Sequence, residues 1–145
     1  MDANSLTIEM KDRKATLSTL WVFVMFAYLY CDVLTNMESE IIKGYLVGQA
    51  GPIQVTQGFL LGAAILMEIP IAMVLLSRIL KYRANRWANM IAGTIMTVVQ
   101  FSSLLFGTPP TLHYMFYSAI EIACTGFIVW YTWTWKPAVE PDVAS

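Results

Sequence analysis

The stretch AAILMEIPIAMVL, Ala63–Leu75, is apolar throughout except for one carboxylate, Glu68, two places before Pro70. Which solvent surrounds it decides the fold. Widening the window answers the question. Between Val55 and Ser77 the only charge is Glu68, and between Trp87 and Ile120 there is no Lys, Arg, Asp or Glu. Runs of about 20 apolar residues match the hydrocarbon thickness of a bilayer. The whole chain of 145 residues is 57% hydrophobic and 13% charged, where soluble domains carry about a quarter charged residues. It reads as an integral membrane protein. Helices of a soluble bundle would carry outer stripes of Lys and Glu, and a β-barrel would need short alternating strands. Neither pattern occurs, and a net charge of −1 offers nothing to nucleic acid.

Four segments have the length of a spanning helix, at 15–36, 56–79, 87–107 and 112–135. They make one transmembrane domain, 15–136, between a cytoplasmic segment at 1–14 and a disordered cytoplasmic tail at 137–145. The first run continues from Ala15 to Cys31 with no small-residue cleavage site after it, so it reads as an uncleaved helix. Positive charges cluster at Lys11, Arg13 and Lys14, at Arg78, Lys81, Arg83 and Arg86, and at Lys136. The 37–55 loop has only Lys43, and the turn GTPPT has none. The positive-inside rule then places both termini in the cytoplasm. The expected fold is an all-α, antiparallel four-transmembrane-helix bundle in the cytoplasmic membrane, with a long outer loop between the first two helices. Ile41, Ile42, Tyr45 and Leu46 predict a short amphipathic piece in that loop, broken by Gly44, Gly48, Gly51 and Pro52. KYRANR (81–86) and GTPPT (107–111) read as short turns.

The polar groups inside the spans carry the functional expectations. At about 1.5 Å of rise per residue, Glu68 falls near the midplane. Glu121 and Gln100 lie roughly 5 Å outward, and Asp32 about 10 Å outward. A charge at the centre of a span costs on the order of 3 kcal/mol, so such groups are expected to face the bundle interior. Asn89, Gly93, Thr97, Gln100 and Ser103 recur at three or four residues on the third helix. Tyr114, Tyr117, Ser118, Glu121 and Thr125 do the same on the fourth, and Tyr28, Asp32 and Thr35 on the first. Glu68, Glu121, Gln100, Asp32 and Tyr117 are therefore the expected proton- or ligand-binding residues. No Lys or Arg stands at their depth, so at least one of Glu68 and Glu121 is expected to carry a proton at neutral pH.

Pro70 cannot donate to the Leu66 carbonyl, which predicts a kink beside Glu68. Gly58 and Gly62 form a GxxxG, either for packing within the bundle or as the seam of a homo-oligomer. Cys31 and Cys124 read as small buried residues, and His113 as an interfacial one. The depths of Asp32, Glu68 and Glu121 are too spread for a metal site. With no catalytic motif and no cofactor signature, an enzyme is not the expected class.

LSTLWVFVMFAYLYCDVLTNM, AAILMEIPIAMVLLSRILKYRANRWANMIAG and LHYMFYSAIEIACTGFIVWYTW together resemble a bacterial and archaeal family of small four-span proteins of unknown function. The resemblance runs from about Lys11 to Lys136. A fainter likeness is to DoxX-like membrane proteins, four-helix chains with an acid in the second helix, some of which accompany quinone-linked redox systems. The expected function is to bind or move protons, a cation or a small solute through an acid-lined interior. The alternatives are an accessory protein holding a quinone or other lipid-like ligand, and a structural membrane subunit whose acids only join helices.

Overall fold

The computed structural model describes residues 3–106 and 109–135. The expected tail at 137–145 and the first residues of GTPPT lie outside them. Among the described residues the chain is helical, with four long helices and one short one: α1 (Ala3–Thr35), α2 (Ser39–Leu46), α3 (Gln57–Ile79), α4 (Tyr82–Phe106) and α5 (Leu112–Trp133). A two-stranded hairpin, β1 (Gln49–Ala50) and β2 (Ile53–Gln54), follows α2. All four long helices are long and apolar enough to cross a membrane.

Local chemistry explains the boundaries. No Gly or Pro interrupts α1. It starts at Ala3, well before the apolar run, because the polar lead-in is itself helix-competent and is braced by Arg13 on Glu9 at 3.3 Å. Residues 3–14 thus continue into the first helix without a break. The Thr56 hydroxyl caps α3 by accepting the Phe59 N–H at 3.1 Å. α3 then runs unbroken through Pro70, which is buried. The turn expected over 81–86 shrinks to Leu80 and Lys81, since nothing in YRANR opposes helix and α4 begins at Tyr82. The amphipathic piece of the long loop is α2, which runs through Gly44, an expected breaker, to Leu46; two residues on, Gly48 turns the chain with a φ of 75°. That left-handed conformation is open to glycine and strained for other residues.

α1 lies between α3 and α5, and α4 packs against both of them, closing a ring. α3 therefore stands across the bundle from α5. Leu17, Trp21, Val24, Met73, Met96 and Ile128 fill the centre. The outward faces are apolar as well, with Phe23, Phe26, Leu61, Ile65, Leu75, Phe101, Phe116 and Phe127 exposed. A monomeric soluble protein rarely exposes such continuous apolar surface. Together with the four long apolar helices, this marks a multi-pass membrane protein.

Candidate functional site

Polar side chains gather in two layers inside this ring. One lies toward the basic end, near Arg13, Arg78 and Arg86. Asn89 Oδ1 accepts from Trp21 Nε1 at 2.7 Å and from Ser77 Oγ at 3.2 Å. Asn89 Nδ2 donates to Asn85 Oδ1 at 2.6 Å, and Asn85 Nδ2 donates to the Ser77 carbonyl at 2.5 Å. Ser18 donates to the Val74 carbonyl at 2.8 Å and accepts from Arg78 Nε at 3.0 Å. Trp21, Ser77, Asn85 and Asn89 are wholly buried. These atoms satisfy one another, so the layer is a plug joining α1, α3 and α4. Of its members only Asn89 stood out by helical spacing. Trp21 is a core donor from α1. Arg86 and Tyr82 donate to the carbonyls of Trp133 and Trp135 at 3.1 and 2.7 Å, closing this end against α5.

Between α4 and α5 the two polar stripes pair with each other. Gln100 Nε2 donates to Ser118 Oγ at 2.7 Å, Thr97 Oγ1 to Thr125 Oγ1 at 2.8 Å, and Ser103 shares a hydrogen bond with Tyr114 at 2.6 Å. Gln100 thus serves α5 and not Glu68.

The second layer differs in being unsatisfied. Glu121 is 1% exposed, and among the described residues neither carboxyl oxygen has a hydrogen-bond partner. The buried Tyr28 hydroxyl on α1 is also without one. Glu121 is near enough to Tyr28, Cys31 and Asp32 to interact with each electrostatically. Tyr28, Asp32 and Thr35 follow one face of α1 toward the loop end, so the site runs from the buried Glu121 and Tyr28 to the exposed Asp32. Beyond Asp32, His113 Nε2 meets Thr35 Oγ1 at 3.3 Å and Glu38 Oε1 at 3.5 Å, while Nδ1 meets Thr111 Oγ1 at 3.2 Å. This ties the ends of α1 and α5 together. Thr35 also lines a cavity of about 450 Å³ under the loop, with Glu40, Tyr45, Gln49 and Ile53.

Four residues singled out by the sequence lie elsewhere. Glu68 was expected to turn inward and meet Glu121, yet it is exposed on the outer face of α3. The reason is topological, since α3 and α5 occupy opposite corners of the ring and α3 presents Met73 and Ser77 to the centre. Tyr117 is half-buried, with its ring edge-on to that of Phe116 at 5.5 Å. Gly58 and Gly62 take no part in packing within the chain. A Cβ at Gly62 would meet nothing within 4 Å, and one at Gly58 would meet only the Thr56 hydroxyl. The close approach is at Gly93, where a Cβ would fall 2.8 Å from Val129 Cγ2 and 3.3 Å from the Thr125 carbonyl.

Among the described residues no group of three His, Cys, Asp or Glu side chains is placed to hold a metal ion. A carboxyl group beside a phenol, both buried and both lacking partners, has a simpler capacity. It can take up one proton or one small cation, with Tyr28 and Asp32 as flanking oxygens. No curated protein and no solved structure matches the chain. A family model does match, over residues 7–140, and the likeness to DoxX-like proteins is not carried by that match. By that coverage the chain belongs to DUF6326, a family of unknown function.

Proposed function

We propose that this is a small membrane protein that takes up a proton or a small monovalent cation at Glu121 from the loop side. The carrying observation is that both Glu121 oxygens are buried without a partner. A carboxyl group used only to join helices would be hydrogen-bonded across the interface, as Gln100 and Thr97 are. An orphaned buried acid is destabilising unless something binds it. Asp32 supplies a solvated oxygen at the rim, while Trp21, Asn89 and the apolar Met96 and Ile128 lie on the other side of the site.

The proposed setting is an antiparallel bundle in the cytoplasmic membrane, with the Arg78 and Arg86 end inside. The distribution of Lys and Arg supports it. Single cysteines at the exposed Lys43 and Lys81 positions give the check. A membrane-impermeant thiol reagent added to intact cells is expected to label the first and spare the second, and the reverse pattern would invert the orientation.

Function is tested in proteoliposomes carrying an internal pH-sensitive dye under an imposed potential, with a parallel arm reading alkali cation uptake. The wild-type chain is expected to move one of the two ions, and Glu121→Gln to abolish that movement. Tyr28→Phe is expected to slow it while leaving thermal stability unchanged, because the hydroxyl it removes has no partner in the fold. Glu121→Leu is expected to remain folded and to gain about 1 kcal/mol of stability, since it removes an unsatisfied buried group. Transport that survives Glu121→Gln, or a clear loss of stability in Glu121→Leu, overturns the reading.

A further inference from the structure

The basic end of the bundle holds more charge than it neutralises. Residues 7–14 and 78–86 carry seven Lys and Arg against two acids, Glu9 and Asp12. Among the described residues only Arg13 has a carboxylate partner there, Glu9 at 3.3 Å, and that acid is half-exposed. Three of the cations gather round one turn of α1. Arg13 lies over the Tyr131 ring of α5 at 5.1 Å, with Nη1 buried and without an acceptor. Lys14 follows it in the chain and shares a face with Ser18, one turn further in. Arg78 of α3 reaches across to the same Ser18, donating from Nε at 3.0 Å. A guanidinium carries five donors and keeps its charge. Among the described residues Arg13 and Arg78 each use one of those donors.

The same end meets the headgroup layer. The apolar part of α1, Ala15 to Thr35, rises about 30 Å, the thickness of a bilayer's hydrocarbon core, so Arg13 and Lys14 stand at its edge. Trp87, Trp130 and Trp133 are exposed on α4 and α5 at this end, where a membrane protein carries its interfacial aromatic belt.

We propose that Arg13, Lys14 and Arg78 form a binding site for the phosphate group of an anionic phospholipid. The occupant follows from charge and depth. Two phosphate oxygens accept side by side from one guanidinium, which suits the unused donors of Arg13 and Arg78, and Lys14 adds a third charge. The excess of Lys and Arg around them favours a headgroup of net negative charge over a zwitterionic one, whose own ammonium it repels. Basic pockets between spanning helices hold such headgroups. Leu75 and Ile79, exposed beside Arg78, give the acyl chains an apolar surface that a free phosphate would not use. The inference stands or falls independently of the Glu121 site.

The test compares the purified chain in phosphatidylcholine nanodiscs with and without phosphatidylglycerol, reading the melting temperature. Native mass spectrometry of the chain released into detergent counts the lipid it retains. The wild type is expected to retain phosphatidylglycerol and to melt higher when that lipid is present. Arg13→Gln, Lys14→Gln and Arg78→Gln are each expected to weaken retention about fivefold, and Arg78→Lys to weaken it less. Arg78→Gln also loses the Ser18 hydrogen bond and is expected to melt lower in both lipids, so the difference between the two lipids decides. Arg83, exposed at the same end, supplies the control, and Arg83→Gln is expected to retain the lipid as the wild type does. A wild type equally stable with and without phosphatidylglycerol overturns the proposal. So does an Arg83→Gln effect as large as the other three, which would mark a diffuse field and not a site. Inorganic phosphate matching the lipid's effect overturns it too, since the site would then serve a free anion.

Discussion

Replacing Asn89 by alanine is expected to lower the stability of the folded chain by about 3 kcal/mol. Asn89 is wholly buried and its amide bridges three helices, accepting from Trp21 on α1 and Ser77 on α3 while donating to Asn85 one turn back on α4. Alanine leaves the Trp21 N–H and the Asn85 side-chain oxygen buried with lost partners, and opens a void where the amide stood. Each orphaned group is destabilising by roughly 1–3 kcal/mol in a dry interior. Measured couplings between membrane helices are smaller, which keeps the total near the middle of the summed range. Trp21→Phe removes a single donor and is expected to lose only about 1 kcal/mol in the same direction. Reversible unfolding in mixed detergent measures both. A change below 1 kcal/mol for Asn89→Ala would mean that water reaches the layer.

Gly93→Leu is expected to be comparably damaging, at about 3 kcal/mol, by a steric route. The first added atom already meets Val129 Cγ2 at 2.8 Å and the Thr125 carbonyl oxygen at 3.3 Å. The valine can rotate, but the carbonyl belongs to the α5 backbone and cannot. Gly93→Ala should therefore be tolerated at about 1 kcal/mol, whereas leucine must push α4 away from α5. That displacement stretches the Thr97–Thr125 and Gln100–Ser118 hydrogen bonds together. The ordering Ala then Leu in unfolding midpoints is the check. Equal effects would mean that the first added carbon sets the whole effect and that leucine does not push α4 from α5.

The two substitutions probe features that were legible to different degrees. The α4 and α5 stripes could be read from spacing, and they pair with each other as helix faces of small polar residues do. Asn89 belonged to the readable stripe, but its partners Trp21, Ser77 and Asn85 did not. A tryptophan, a serine and an asparagine near a span end look like interface residues until the neighbouring helix is known. The same applies to glycine. GFLLG is the conspicuous motif, yet its face is empty within the chain, while the single Gly93 sits at the tightest contact. Spacing identifies which residues share a helix face, and it carries no information about what that face meets.

The acids show the division most clearly. Composition and the length of the apolar runs were sufficient by themselves for the helical class, the four candidate spans and the presence of carboxylates within them. The reason is that hydrocarbon permits few backbone solutions, so a long uncharged run has one natural reading. Which acid is internal was a matter for the tertiary structure alone. Glu68 and Glu121 occupy similar apolar settings in sequence, each followed by isoleucine. The ring order of the helices and the rotation of each about its axis bury Glu121 against Tyr28 and turn Glu68 outward. Helix rotation is set by packing with neighbours remote in the chain, such as Trp21 on Asn89, 68 residues away. No local pattern of apolar residues encodes it when both faces of a helix are apolar.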